Sequence, residues 1–152
     1  VKDFLLEIFR VLKPDGVQRI VVPDLYYLCK SYVENHEKCI QHNQLIKNHD
    51  NYVAAILEQA VRKEAYGSSK QNKIVRKIEN IILGDARKRG ETHQWMYDSV
   101  NLKNILKEVG FQNIKVQTYC TSDIFNWNKY GLDLDKENKE YKHGSLYIEA
   151  RK

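Results

Sequence analysis

The chain has 152 residues, 42% hydrophobic and 30% charged, with a formal net charge of +5 at pH 7. That composition belongs to an ordinary globular chain and excludes a disordered one. No apolar run approaches the roughly 20 residues of a membrane-spanning helix, and no signal-peptide pattern opens the chain. Cys29, Cys39 and Cys120 are an odd number without paired spacing, which argues against a disulfide framework and for a reducing, cytoplasmic setting.

Phe4, Leu5, Ile8, Val11 and Leu12 recur at helical spacing and predict an amphipathic helix. Lys13-Pro14-Asp15-Gly16 ends it, because Pro14 lacks an N–H and restricts Lys13, while Gly16 can take a positive φ. Gln18 to Val22 is a short β-branched run closed by Pro23-Asp24 and reads as a buried strand. Leu25, Leu28, Cys29 and Tyr32 then give a second helix an apolar face, to about Val33.

Residues 34–91 read as an inserted helical cap. Cys39/Ile40, Tyr52/Ile56/Leu57/Ala60 and Ile74/Ile78/Ile81/Ile82 are its helical patterns, with a break at Gly67-Ser68-Ser69. Arg62, Lys63, Lys70, Lys73, Arg76, Lys77 and Arg87-Lys88-Arg89 cluster there. Such a stripe is either a solvated helix face or an attractor for anionic polymers. No RNA-binding signature with interleaved aromatics is present, so nucleic acid is not the expected partner.

Residues 92–152 form the third section. Asp98 or Ser99 can cap a helix with the apolar face Val100, Ile105, Leu106 and Val109. Gly110 closes it and Phe111 is placed to pack back. Ile114, Val116 and Thr118 alternate as a strand, as do Leu146, Ile148 and Ala150. A long loop, Thr121 to Gly144, separates the two.

Three segments resemble the class I S-adenosylmethionine-dependent methyltransferases, in a type 11-like subgroup. Glu7, Ile8, Arg10, Val11, Leu12, Lys13, Pro14 and Gly16 match the E-I-x-R-V-L-K-P-G-G pattern of that family's fourth helix, with Asp15 at the first glycine. His93 to Asp98, followed by Leu102, Leu106, Glu108, Val109, Gly110 and Phe111, is similar to its late helix and exit. Trp127, Tyr130-Gly131-Leu132-Asp133 and Ser145 to Ala150 are similar to its closing segments. The resemblance implies an α/β fold: the C-terminal part of a Rossmann-like methyltransferase, with a small mixed sheet of one parallel strand plus an antiparallel terminal pair. It implies a parent enzyme that moves a methyl group from S-adenosyl-L-methionine to a small-molecule or glycan acceptor. The glycine-rich cofactor turn is absent, since no G-x-G occurs in the chain. The chain alone is therefore expected to be an inactive, substrate-side piece that binds the cofactor without strength. The competing expectation is a non-catalytic module that binds a partner chain or an anionic polymer through the basic cap.

The candidate site residues follow from that reading. Asp24, at the carboxyl end of the predicted parallel strand, either positions substrate or caps the helix starting at Leu25. Tyr26 and Tyr27 are placed to face the same cleft. His93 is a candidate general base or a loop-fixing histidine. Trp95, Tyr97, Trp127 and Tyr130 are candidate substrate contacts or packing anchors. Asp133, Asp135, Glu137 and Glu140 lack the glycine and final glutamate of a calcium loop, so no metal site is expected. His36, His42 and His49 have no completing ligand. Finally, the strand from Arg19 to Val22 is expected to leave an open edge, with either pairing of two copies through it or poor solubility as the result.

Overall fold

A computed structural model describes residues 1–41, 48–59, 81–82 and 95–152. The chain divides into two compact units, one of residues 1–27 with 97–152, the other of residues 28–96. In the first unit, helix α1 (Lys2–Val11) leads into strand β1 (Val17–Pro23). Helix α2 (Leu25–Gln41) starts directly after it, and helix α3 (His49–Gln59) belongs to the second unit. The chain returns to the first unit with helix α4 (Ser99–Val109), strand β2 (Gln112–Gln117), a 3-10 turn (Trp127–Tyr130) and strand β3 (Ser145–Arg151). The expected cap, residues 34–91, and its basic cluster fall largely outside the described residues.

The sheet has three strands in the order β1-β3-β2, and both ladders are antiparallel. Tyr147 pairs with Val21 on one side and Gln117 on the other. This corrects the expected fold class. The mixed, Rossmann-like sheet is not formed: the last strand lies between the other two and runs against both. β1 and β2 each pair with β3 and not with one another. Among the described residues parallel pairing is confined to one isolated bridge, Asp24 to Tyr97.

Alternation along β3 sorts the two faces. Leu146, Ile148 and Ala150 point into a core with Leu5, Leu102, Leu106, Val109 and Phe111, beneath α1 and α4. Tyr147 and Glu149 point to the opposite face, under the long loop, and are buried as well. The interior of this unit is therefore apolar on one side of the sheet and polar on the other.

Local chemistry explains the element ends. Asp98 caps α4, accepting from the Val100 and Asn101 N–H groups, while Asn101 accepts from the Asp98 N–H. Gly110 terminates that helix at φ 110°, and Phe111 stacks edge-on against Phe9 at 5.0 Å. The buried stripe of α4 is Leu102, Leu106 and Val109. Val100, expected on that face, is exposed at the first turn. In the turn after α1 the positive φ falls on Asp15, at 59°. Gly16 is needed there for space instead, since a Cβ would lie 2.8 Å from both Leu12 Cγ and the Lys13 carbonyl.

Candidate functional site: the outer edge of β1 and its polar surroundings

Hydrogen-bond parity decides which groups of β1 are left over. Gly16 O accepts from Lys152 N, and Asp24 N donates to Gly144 O. The even-numbered residues Gln18, Ile20 and Val22 therefore exchange bonds with Ala150, Ile148 and Leu146. The backbone groups of Val17, Arg19 and Val21 point the other way. Among the described residues no strand pairs with that side. Pro23 has the same parity, so its missing N–H takes nothing from the ladder. At that end the edge is closed by the Asp24–Tyr97 bridge and the Leu25 N–H to Tyr97 carbonyl bond, 2.9 Å. Gln18 Nε2 reaches the Arg19 carbonyl at 3.2 Å and shields one outward acceptor.

The Arg19 side chain is committed elsewhere. It is 3% exposed and lies beneath the long loop. Its Nε donates to Asp133 Oδ2 at 2.9 Å, Nη1 to Glu149 Oε1 at 2.7 Å and to the Thr121 carbonyl at 3.0 Å, and Nη2 to the Thr118 carbonyl at 2.8 Å. The guanidinium carbon stands 4.9 Å from the Trp127 ring centre and 5.2 Å from that of Tyr147. Trp127 Nε1 donates to Asp133 Oδ2 at 2.6 Å. Glu149 also accepts from Ser122 Oγ, the Asp123 N–H and Gln117 Nε2. Burial pushes the Glu149 carboxyl up, but the bonds from Ser122, Asp123 and Arg19 outweigh it and hold the group below its ordinary range.

A second polar chain sits past the end of β1. Tyr27 Oη lies 2.6 Å from His143 Nε2, and His143 Nδ1 lies 3.0 Å from Glu140 Oε2. Tyr27 packs onto Gly144, where a Cβ would fall 2.6 Å from its ring. Glu140 also bonds Tyr147, whose phenol is pushed up to about 12, first by burial and then by the charge of that carboxylate.

The proposed site residues distribute as follows. Asp24 Oδ1 accepts from the Tyr26 N–H at 3.0 Å, a helix-capping contact. Tyr97 bridges Asp24, and burial pushes its phenol up. Tyr26, Trp95 and Tyr130 are exposed. Trp127 covers Arg19, with Tyr130 at 6.1 Å. Trp127 also lines an open cavity of about 260 Å³ with Cys120, Ser122 and Lys129. His93 lies outside the described residues. Asp24, Tyr27 and Tyr97 thus gather at the end of β1, while Trp127 and Tyr130 belong to the Arg19 layer. Sequence reasoning missed Arg19, Glu149 and His143. A signal existed for the first two: each is a charged residue in the interior of a strand rich in apolar residues, and such residues need partners when buried.

Among the described residues no group of three or more His, Cys, Asp and Glu side chains could hold a metal ion. No buried side-chain nitrogen or oxygen among the described residues lacks a hydrogen-bond partner. Among the described residues no helix is long and apolar enough to cross a membrane.

No family model, no curated protein and no solved structure matches the chain. The resemblance to the class I methyltransferases is therefore corrected, because the sheet lacks the parallel strand order that the family requires. The antiparallel sheet likewise does not support a methyltransferase piece, a transferase parent enzyme or a Rossmann-like cofactor fold.

Proposed function

We propose that the first unit is a protein-interaction module that works by strand addition, taking an extended polypeptide segment along the outer edge of β1. The observation that carries this is the parity of the ladder. Val17, Arg19 and Val21 present N–H and C=O groups in one row, away from β3. A row of that kind is a template for another strand. Val21 adds an apolar side chain that is 43% exposed. The row is held straight from behind, because the Arg19 side chain is clamped to Asp133 and Glu149. The cytoplasm is the compartment this reading favours, supported by the three free thiols of Cys29, Cys39 and Cys120.

The test is selection of displayed extended peptides on the protein and on its Val21→Pro variant. Proline at 21 removes an outward N–H and leaves the β3 ladder whole. Peptides retained by the unsubstituted protein and lost by the variant are the expected result. No selection, or selection indifferent to the substitution, overturns the proposal.

A further inference from the structure

Helix α1 carries a second exposed apolar surface, unpartnered among the described residues, on the same side of the unit. Leu5 is its buried residue, and Ile8, Phe9 and Leu12 pack against the same core as Ile20 and Val22 of β1. One flank of α1 meets the end of α4: Lys2 Nζ bonds Glu108 at 2.9 Å, and the Phe9 ring lies 3.4 Å from where a Cβ on Gly110 would stand. The opposite flank carries Phe4, 68% exposed, and Val11, 63% exposed, seven residues apart and so on one stripe. Helix α4 contacts β2 and β3, and β1 lies on the far side of β3. The flank turned away from α4 is accordingly the flank on the open-edge side.

From these two features we infer, resting on the strand-addition reading, that the segment added to β1 is β1 of a second copy of this chain. The two strands run antiparallel about a two-fold axis, with the Phe4–Val11 stripes of both α1 helices closing over the join. Three observations select a second copy. First, the edge carries no charge that would repel its like. Arg19 is the only charged residue between Val17 and Pro23, and it is already neutralised by Asp133 and Glu149. Edges that avoid self-pairing carry lysines or inward charges instead. Second, the outward set Val17, Arg19, Val21 is symmetric about Arg19. An antiparallel copy centred there faces Val17 with Val21, and every outward donor meets an acceptor once Gln18 Nε2 gives up the Arg19 carbonyl. Third, a two-fold axis brings each exposed apolar stripe against its own equivalent, as an isologous contact requires. The product is a continuous six-stranded antiparallel sheet with one helical layer.

Sedimentation velocity on the whole chain tests this, with Val21→Pro, Val21→Lys and Phe4→Glu alongside. The expected result is a dimer at about 100 μM, weakened at least about tenfold by each substitution, while near-ultraviolet circular dichroism is unchanged. Val21→Lys keeps the test valid if the proline variant does not fold. A monomer at that concentration overturns the second copy. If peptides are still selected in the experiment above, the open-edge reading stands by itself. If none are, both fail. A dimer untouched at Val21 but split by Phe4→Glu overturns the second copy on β1, because association would then bypass the strand, and the peptide selection alone decides the open-edge reading.

Discussion

Arg19 and Glu149 stand directly opposite one another on β1 and β3, and the guanidinium closes onto the carboxylate at 2.7 Å across 130 residues of sequence. Both side chains are almost fully buried. The pair lies where a sheet of this size would ordinarily face water or a second apolar layer. Here the layer is the long loop, fastened by charge. Arg19 also binds the carbonyls of Thr118 and Thr121 and the carboxylate of Asp133. One side chain thereby ties the start and the middle of that loop to the strand that carries the open edge.

Arg19→Met is expected to cost about 3–5 kcal/mol of unfolding free energy, because it leaves the Asp133 and Glu149 carboxylates buried without their cation. Arg19→Lys is expected to recover only part, since a single ammonium cannot serve Asp133, Glu149 and two carbonyls at once. Denaturant titration of the three proteins checks this. A loss below about 1 kcal/mol for Arg19→Met would mean that the pair behaves as an exposed one.

The same layer predicts a stability profile that falls at both ends of the pH scale. The folded-state pKa of Glu149 is depressed, so its contribution is present above the unfolded value, about 4.3. It is lost as pH falls through the lower folded value. The Tyr147 phenol is raised to about 12. Its neutral form is favoured in the fold, so stability drops as pH rises from the unfolded value near 10 toward the folded one. Thermal melts from acid to alkali should show both losses. Glu149→Gln should flatten the acid arm and Tyr147→Phe the alkaline arm, each on a lower baseline. Arms unchanged by these substitutions would assign the losses to other groups.

Gly144→Ala is expected to destabilise the first unit by about 1–3 kcal/mol. Gly144 sits at φ 79°, and the added Cβ would stand 2.6 Å from the Tyr27 ring. The ring would be driven off, and the Tyr27–His143 contact at 2.6 Å with it. Tyr27→Ala in the same background should recover the steric part of the loss but not the backbone part. A double-mutant cycle measures this, and strict additivity would show that the ring and the backbone do not meet there.

Much of the fold was legible in the sequence wherever the cause is local. The period of Leu5, Ile8 and Leu12, the cap at Asp98, the C-terminal Gly110 and the alternation of Leu146, Ile148 and Ala150 all act within a turn or a few strand residues. The helix and strand positions they predict are found in the structure. The stripe of α4 was misread at Val100, because the first turn of a helix can stand clear of the core even where the spacing fits. Asp24 and Tyr97 meet in a backbone bridge at the end of β1, a contact that no local spacing could give.

The amino-acid sequence by itself determined that α1, β1, α4 and β3 form where they do, because capping, turn chemistry and hydrophobic period operate between near neighbours. The second helix, expected to about Val33, runs instead to Gln41. Only the tertiary structure decided that β3 lies between β1 and β2 and runs against both, which removed the expected mixed sheet. It also decided that Arg19 meets Asp133 across 114 residues and Glu149 across 130. Pairing order and buried charge depend on which distant segments compete to cover the same face, and no local rule contains that competition. The outward row of Val17, Arg19 and Val21 follows from the same source: strand parity becomes meaningful only once the partner on the other side is known.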